Sequence, residues 1–202
     1  MLIAIIIPFG RNARAASVHA GFALARHGED DSKPMAALDR FKDAQDSPHE
    51  GFVSALDEVR TGGKTGHWIW YVFPQIRGLG TSGAAQAFAI DGEEEAAAFL
   101  RDAVLRSRFL TIAQAVGEQL KTGKALRALM GSEIDAKKVV SSLTLFGHVS
   151  RKLHDTEGID AHGSVATVAD EVLSLAATQG YPPCAYTLRR LRGMKGTSSP
   201  SG

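Results

Sequence analysis

The amino-acid sequence predicts an all-α fold, a compact single domain of about seven helices with a short N-terminal extension. Apolar residues recur at helical spacing through most of the chain after Met35. Capping residues, glycines and prolines separate these periodic stretches, and they do not alternate with strand patterns. Apolar residues make up 44% of the 202-residue chain, which is typical of a protein with a hydrophobic core.

Three parts of the chain differ in pattern. Residues 1–34 combine a short apolar stretch with a polar run, and we expect a weakly integrated N-terminal extension there. Either this extension adds a short strand, or translation begins at Met35. The helical domain is expected over residues 35–192. The tail, residues 193–202, is rich in glycine and serine and is expected to be disordered.

Two helices are predicted at the start of the domain. The first carries Leu38, Phe41 and Gln45 on one face. The second is predicted to begin at Ser47-Pro48-His49-Glu50, because serine can cap, proline suits the first helical position and glutamate closes a capping box. It is predicted to end at Gly62-Gly63.

The later helices follow from caps and from one long apolar stripe. Asp91 and Glu94 form a second capping-box pattern. A buried helical face is then predicted from Leu105, Phe109, Ile112, Val116 and Leu120. Ser132 is a predicted cap, and residues 156–163 are a predicted loop. The remaining predicted helices cover residues 125–130, 134–152, 165–179 and 185–191.

Charge and composition exclude several classes of protein. Lysine and arginine number 23 and the acidic residues 22, which argues against a nucleic-acid binder that uses a broad basic face. No apolar run approaches the ~20 residues that span a bilayer. A single cysteine excludes an intrachain disulfide and a cysteine-based zinc site. We therefore expect a cytoplasmic protein with no metal, organic cofactor, nucleic-acid partner or membrane partner.

The segment from His67 to Ser82 holds the residues best suited to chemistry, including both tryptophans. Pro74 must end any helix before it, although periodicity alone leaves residues 68–72 open to a buried helix or a buried strand. Thr81 or Ser82 is predicted to cap a short helix that follows.

The order of residues in this segment is His67-Trp68-x-Trp70-x-x-Phe73-Pro74-Gln75, followed by Gly78-x-Gly80-x-Ser82. This pattern resembles the signature of the DUF1810 family, whose members are sometimes labelled calpastatin-like. The resemblance implies a mainly α-helical fold and no established activity. The calpastatin label fits poorly, because that inhibitor is a disordered, repeat-bearing chain. Asp102-Ala103 departs from the His-Pro of many members, and Gly66 from the usual serine.

Each candidate residue has a functional and a structural interpretation. His67 can act as an acid or base near neutral pH, or it can pack beside Trp68. The aromatic side chains can stack on a ligand ring or fill the core. Arg77 can bind a phosphate or carboxylate, or it can form a surface salt bridge. The predicted ligand-binding residues are Trp68, Trp70, Gln75, Arg77, Gly78, Gly80, Ser82, Lys138 and Thr144.

The leading functional hypothesis is a pocket around His67 and Arg77 that binds a small anionic or nucleotide-like ligand. If the protein is an enzyme, this hypothesis makes it a hydrolase or glycosidase with His67 as the catalytic residue. One alternative is a protein-interaction module that uses the aromatic face of Trp68, Trp70 and Phe73. Another is a purely structural role for the segment. The sequence leaves the oligomeric state open.

Overall fold

The computed structural model describes residues 32–193, with side chains from Leu38 onward. The predictions for residues 1–31 and 194–202 lie outside this range. Within it the chain forms no strand, and seven of its helices have at least seven residues, which confirms the predicted all-α class. The helices are α1 (Ser32–Gln45), α2 (Phe52–Thr61), α3 (Ile69–Val72), α4 (Gly83–Ala87), α5 (Gly92–Arg101), α6 (Ala103–Lys121), α7 (Leu126–Met130), α8 (Glu133–Glu157), α9 (Asp160–Thr178) and α10 (Ala185–Gly193).

Several predicted helix boundaries are confirmed. The Ser132 hydroxyl accepts the N–H of Asp135 at 3.0 Å and caps α8. The Ser82 hydroxyl accepts the N–H of Ala85 at 3.2 Å and caps α4. Gly62 ends α2 in the left-handed conformation, with φ 94°.

The predicted start of the second helix at Ser47 is wrong. Residues 48–50 form a turn, and Gly51 is the N-cap of α2, without a side-chain cap. A Cβ at Gly51 would overlap the carbonyl oxygens of Gln45 and Ser47, so the chain folds back closely on the end of α1 at this point. This backbone turn therefore displaces the start of the helix by about one helical turn.

Two further boundary predictions need correction. Asp91 is the N-cap of α5, but its side chain does not cap, and Glu95 rather than Glu94 accepts its N–H, at 2.5 Å. The predicted loop over residues 156–163 is also wrong, because α8 continues to Glu157 and α9 begins at Asp160. Gly158, with φ 68°, turns the chain within two residues.

The core is built around α8, which packs on α3, α5, α7, α9 and α10. The predicted stripe of α6 is confirmed, since all five of its residues are buried. Aromatic rings form a continuous chain through the core. Ring centroids lie 5.3 Å apart for Phe41 and Phe99, 4.8 Å for Phe99 and Phe146, and 4.7 Å for Phe146 and Phe109.

No helix in the described part of the chain combines the length and the apolar character that crossing a membrane requires.

Candidate functional site

The tryptophan-rich segment forms the single-turn helix α3, which settles the choice between helix and strand. The N–H of Phe73 closes this turn on the carbonyl oxygen of Ile69 at 3.0 Å, and Pro74 follows. Trp68 and Phe73 are both 0% exposed, and Phe73 continues the core chain of rings to Phe109 at 5.8 Å. Trp70, by contrast, is half-buried. The three aromatic residues therefore do not form a common exposed face.

Glu58, on α2, holds the loop that leads into α3. Its carboxylate accepts the N–H of Thr65 at 2.7 Å, the N–H of Gly66 at 2.9 Å and the indole N–H of Trp68 at 2.7 Å. Partial burial by itself raises the pKa of Glu58, but these hydrogen bonds outweigh it and hold the pKa below its usual value. Glu58 is thus a charged anchor for the loop that leads into α3.

The chain after α3 is held by backbone pairing. Ile76 forms a parallel bridge with Ile90, so that the Ile90 N–H donates to the Gln75 carbonyl and the Arg77 N–H to the Ile90 carbonyl, each at 2.8 Å. Gly78 then turns the chain with φ 100°. The Tyr186 hydroxyl donates to the Arg77 carbonyl at 3.3 Å and ties this turn to α10.

A cavity of about 770 Å³ opens between three parts of the fold. This volume lies in the range of small-molecule sites. The first wall is α3 with the chain that follows it, the second is the N-terminal half of α8, and the third is the segment between α9 and α10. The lining residues are Trp70, Gln75, Leu79, Gly80, Thr81, Ser82, Ala85, Ile134, Lys137, Lys138, Val140, Ser141, Gly180, Tyr181, Pro182, Pro183, Cys184 and Ala185.

Lys138 is the most enclosed charge of the cavity. Its ammonium lies 4.5 Å from the centre of the Trp70 ring and 2.9 Å from the Asp135 carboxylate. The second carboxylate oxygen of Asp135 lies 2.8 Å from Lys64. Burial raises the pKa of Asp135, but hydrogen bonds from Lys64 and Lys138 outweigh it and lower the pKa, so the carboxylate is charged at neutral pH. Asp135 therefore positions Lys138 over the indole.

The third wall is attached to α8 by polar contacts. The Tyr181 hydroxyl donates to Glu133 at 2.6 Å, and this hydrogen bond raises the pKa of Tyr181. The N–H of Cys184 donates to the Thr144 hydroxyl at 3.0 Å, and that hydroxyl donates to the Val140 carbonyl at 2.7 Å. Thr144 therefore positions the wall from behind it.

The structure brings five of the predicted site residues together around the cavity. They are Trp70, Gln75, Gly80, Ser82 and Lys138. It places the others elsewhere. The His67 side chain is 77% exposed and lies 3.3 Å from Glu50, and Arg77 is 51% exposed and lies 3.2 Å from Asp91. Trp68 belongs to the core. The imidazole, the guanidinium and the later lysine therefore do not share one hollow.

Sequence reasoning missed the third wall and part of the second. Ile134 and Lys138 are four residues apart on α8 and share a face. Helical periodicity could therefore have predicted that Ile134 lies beside Lys138. The run Gly180-Tyr181-Pro182-Pro183 is visible as a turn, but no sequence pattern connects it with residues 70–82.

Replacing Gly78 tests the turn that places Gly80 and Ser82. Gly78→Ala is expected to lower the free energy of unfolding by about 2 kcal/mol, because an L-residue is strained at this φ and the new Cβ would overlap the Tyr186 hydroxyl. Gly123→Ala is the matched control, since Gly123 has φ 90° and open space around it. The control is expected to cost about 1 kcal/mol in urea unfolding. Equal losses in the two variants would contradict the proposed contact with Tyr186.

The fold and the cavity define a class of protein, a small all-α domain with a ligand-sized cavity between helices. The chain belongs to the DUF1810 family, described as "Protein of unknown function (DUF1810)", whose model matches residues 35–162. The match ends before the third wall of the cavity.

A solved structure resembles the chain as well. The chain is similar to the conserved hypothetical protein Rv1873 from Mycobacterium tuberculosis, with 32% sequence identity and a TM-score of 0.60. The similarity covers 77% of this chain and 96% of the mycobacterial one. Comparison with curated proteins finds no match.

Proposed function

We propose that the protein binds a small anionic ligand in the cavity between Trp70 and Lys138. The observation that carries this proposal is a lysine held against an indole ring at the wall of a ligand-sized cavity. The Lys138 side chain is 16% exposed, so an anion beside it is partly shielded from water. Electrostatic attraction is stronger in such an environment than at an open surface.

The lining of the cavity favours binding over catalysis. Within residues 38–193, neither a histidine nor a carboxylate lines the cavity. Most hydrolases and glycosidases use such groups for proton transfer. His67, which was the candidate for this role, lies outside the cavity on the surface. A protein that binds without reaction is therefore the proposal that fits these side chains best.

The aromatic residues support a ligand site more than a protein-docking face. Trp68 and Phe73 are covered by the core and have no surface to offer a partner protein. Trp70 is the aromatic member of the segment that lines the cavity. We also propose a cytoplasmic location without a nucleic-acid partner, because the near-neutral charge gives no broad basic face and the one cysteine, Cys184, is a free thiol.

A thermal-shift screen against nucleotides, phosphorylated metabolites and organic carboxylates tests this proposal. A ligand at 100 times its Kd should add about 2.7 kcal/mol to the free energy of unfolding. Lys138→Met is expected to weaken the binding of any such ligand by about tenfold or more, because a charge-assisted hydrogen bond is lost. Lys138→Met leaves Asp135 paired with Lys64, so the protein is expected to remain folded.

Arg77→Ala is the matched control for this screen, since it also removes one cation of the segment but lies outside the cavity. Its affinity is expected to equal that of the unmodified protein. A ligand whose affinity falls with Arg77→Ala but not with Lys138→Met would place the site elsewhere. If none of the compounds stabilises the protein, the proposal is contradicted.

A further inference from the structure

The walls of the cavity are largely apolar. Trp70, Tyr181 and the consecutive prolines Pro182 and Pro183 present rigid surfaces, and Leu79 adds an aliphatic one. Prolines and aromatic rings change shape little when a ligand binds, so they select for the outline of the ligand. A rigid, apolar lining of this kind suits a rigid ring system better than a flexible sugar phosphate.

The charges at the cavity nearly cancel. Lys137 lies 3.0 Å from Glu133, and Asp135 lies between Lys64 and Lys138. These ion pairs join three lysines to two carboxylates, so the pairs by themselves carry one positive charge in excess. A ligand with one negative charge neutralises this excess. A nucleoside triphosphate would bring several negative charges close to Glu133 and Asp135, which pair with the two lysines of the lining, and it would meet repulsion there.

Arginine, the usual bidentate partner of phosphate, is absent from the lining of the cavity among residues 38–193. Lys138 offers a compact cation instead. The Lys138 ammonium has three N–H donors. One of them is directed to Asp135, and the Trp70 indole ring lies against the same ammonium group. A donor is left for a ligand oxygen, and the Gln75 side-chain amide has no partner among the described residues and is free to add another.

From this combination we infer that the ligand is a monoanionic aromatic carboxylate, with its ring system on the apolar walls and its carboxylate beside Lys138. This inference rests on the proposed function and narrows it to one chemical class. An aromatic carboxylate is less polar than a nucleotide. Specificity then comes from the rigid third wall as well as from the charge.

Isothermal titration calorimetry with naphthoate, on the full chain, tests the inference. Naphthoate is expected to bind at least tenfold more tightly than naphthalenemethanol, its neutral counterpart, and at least tenfold more tightly than AMP, ATP or inorganic phosphate. Octanoate, an aliphatic monoanion, is expected to bind more weakly than naphthoate. Lys138→Met should remove the advantage of naphthoate over naphthalenemethanol, whereas Arg77→Ala should preserve it.

Each other result has a defined meaning. Tighter binding of AMP or phosphate than of naphthoate would overturn the ligand class and leave an anion site intact. Equal binding of naphthoate and naphthalenemethanol would overturn the role of the charge. Octanoate as the tightest probe would overturn the aromatic selectivity. Failure of every anion in the panel to bind would overturn this inference, and failure of the wider thermal-shift screen would be needed to overturn the proposed function.

Discussion

Trp68→Ala is expected to lower the free energy of unfolding by about 4 kcal/mol. Trp68 is fully buried, and its indole N–H donates to Glu58 at 2.7 Å. The substitution removes a large apolar side chain from the core and leaves a cavity behind it. Urea unfolding followed by circular dichroism measures the loss, because it does not depend on tryptophan fluorescence.

Trp70→Leu is the matched control, since Trp70 lies two residues away on the same turn but lines the cavity. It is expected to cost no more than about 1.5 kcal/mol, because an apolar side chain replaces a half-buried one. The effects on ligand affinity should be the reverse of the effects on stability. Trp70→Leu is expected to lose much of its ligand affinity, and Trp68→Ala only a little. A larger stability loss in Trp70→Leu than in Trp68→Ala would show that the roles of the two tryptophans are reversed.

Local periodicity was sufficient to predict the fold class. An apolar residue at every third or fourth position along α6 predicts one buried face, and all five residues of that face are buried. Ser132 and Gly62 could be identified because their capping roles depend on adjacent backbone groups. The start of α2 was not predictable in this way, because it depends on a backbone turn that brings Gly51 against the end of α1, and no capping pattern contains that turn.

The roles of the two tryptophans could not be separated from the sequence alone. Each residue of a helix turns the chain by about 100°, so Trp68 and Trp70 point about 200° apart only if the segment is helical. Periodicity left helix and strand open, and a strand would have placed both side chains on one face. The partner of Trp70, Lys138, lies far along the chain on α8. Tertiary packing, which no local pattern contains, brings the two together.

Glu58→Ala is expected to lower the free energy of unfolding by about 3 kcal/mol. The change removes the acceptor of three N–H groups, and one of these belongs to the buried Trp68. Hydrogen bonds to a charged group contribute about 1.5–3 kcal/mol, and a buried donor without a partner adds a penalty. Glu50→Ala is the control, because Glu50 is a surface carboxylate beside His67 and its loss is expected to cost less than about 0.5 kcal/mol. Similar losses in both variants would contradict the anchoring role of Glu58.

The pH dependence of the same site gives a second readout. Because the pKa of Glu58 is lowered in the folded protein, its contribution is present above the unfolded value of about 4.3 and is lost as the pH falls through the folded pKa. Glu58→Gln is uncharged at every pH and resembles the protonated side chain. The unmodified protein is therefore expected to exceed Glu58→Gln in free energy of unfolding by about 2 kcal/mol near pH 7. This difference should shrink as the pH falls through the folded pKa of Glu58, because the protonated carboxyl then resembles the glutamine of the variant. A difference that stays constant with pH would mean that the charge of Glu58 does not stabilise the loop.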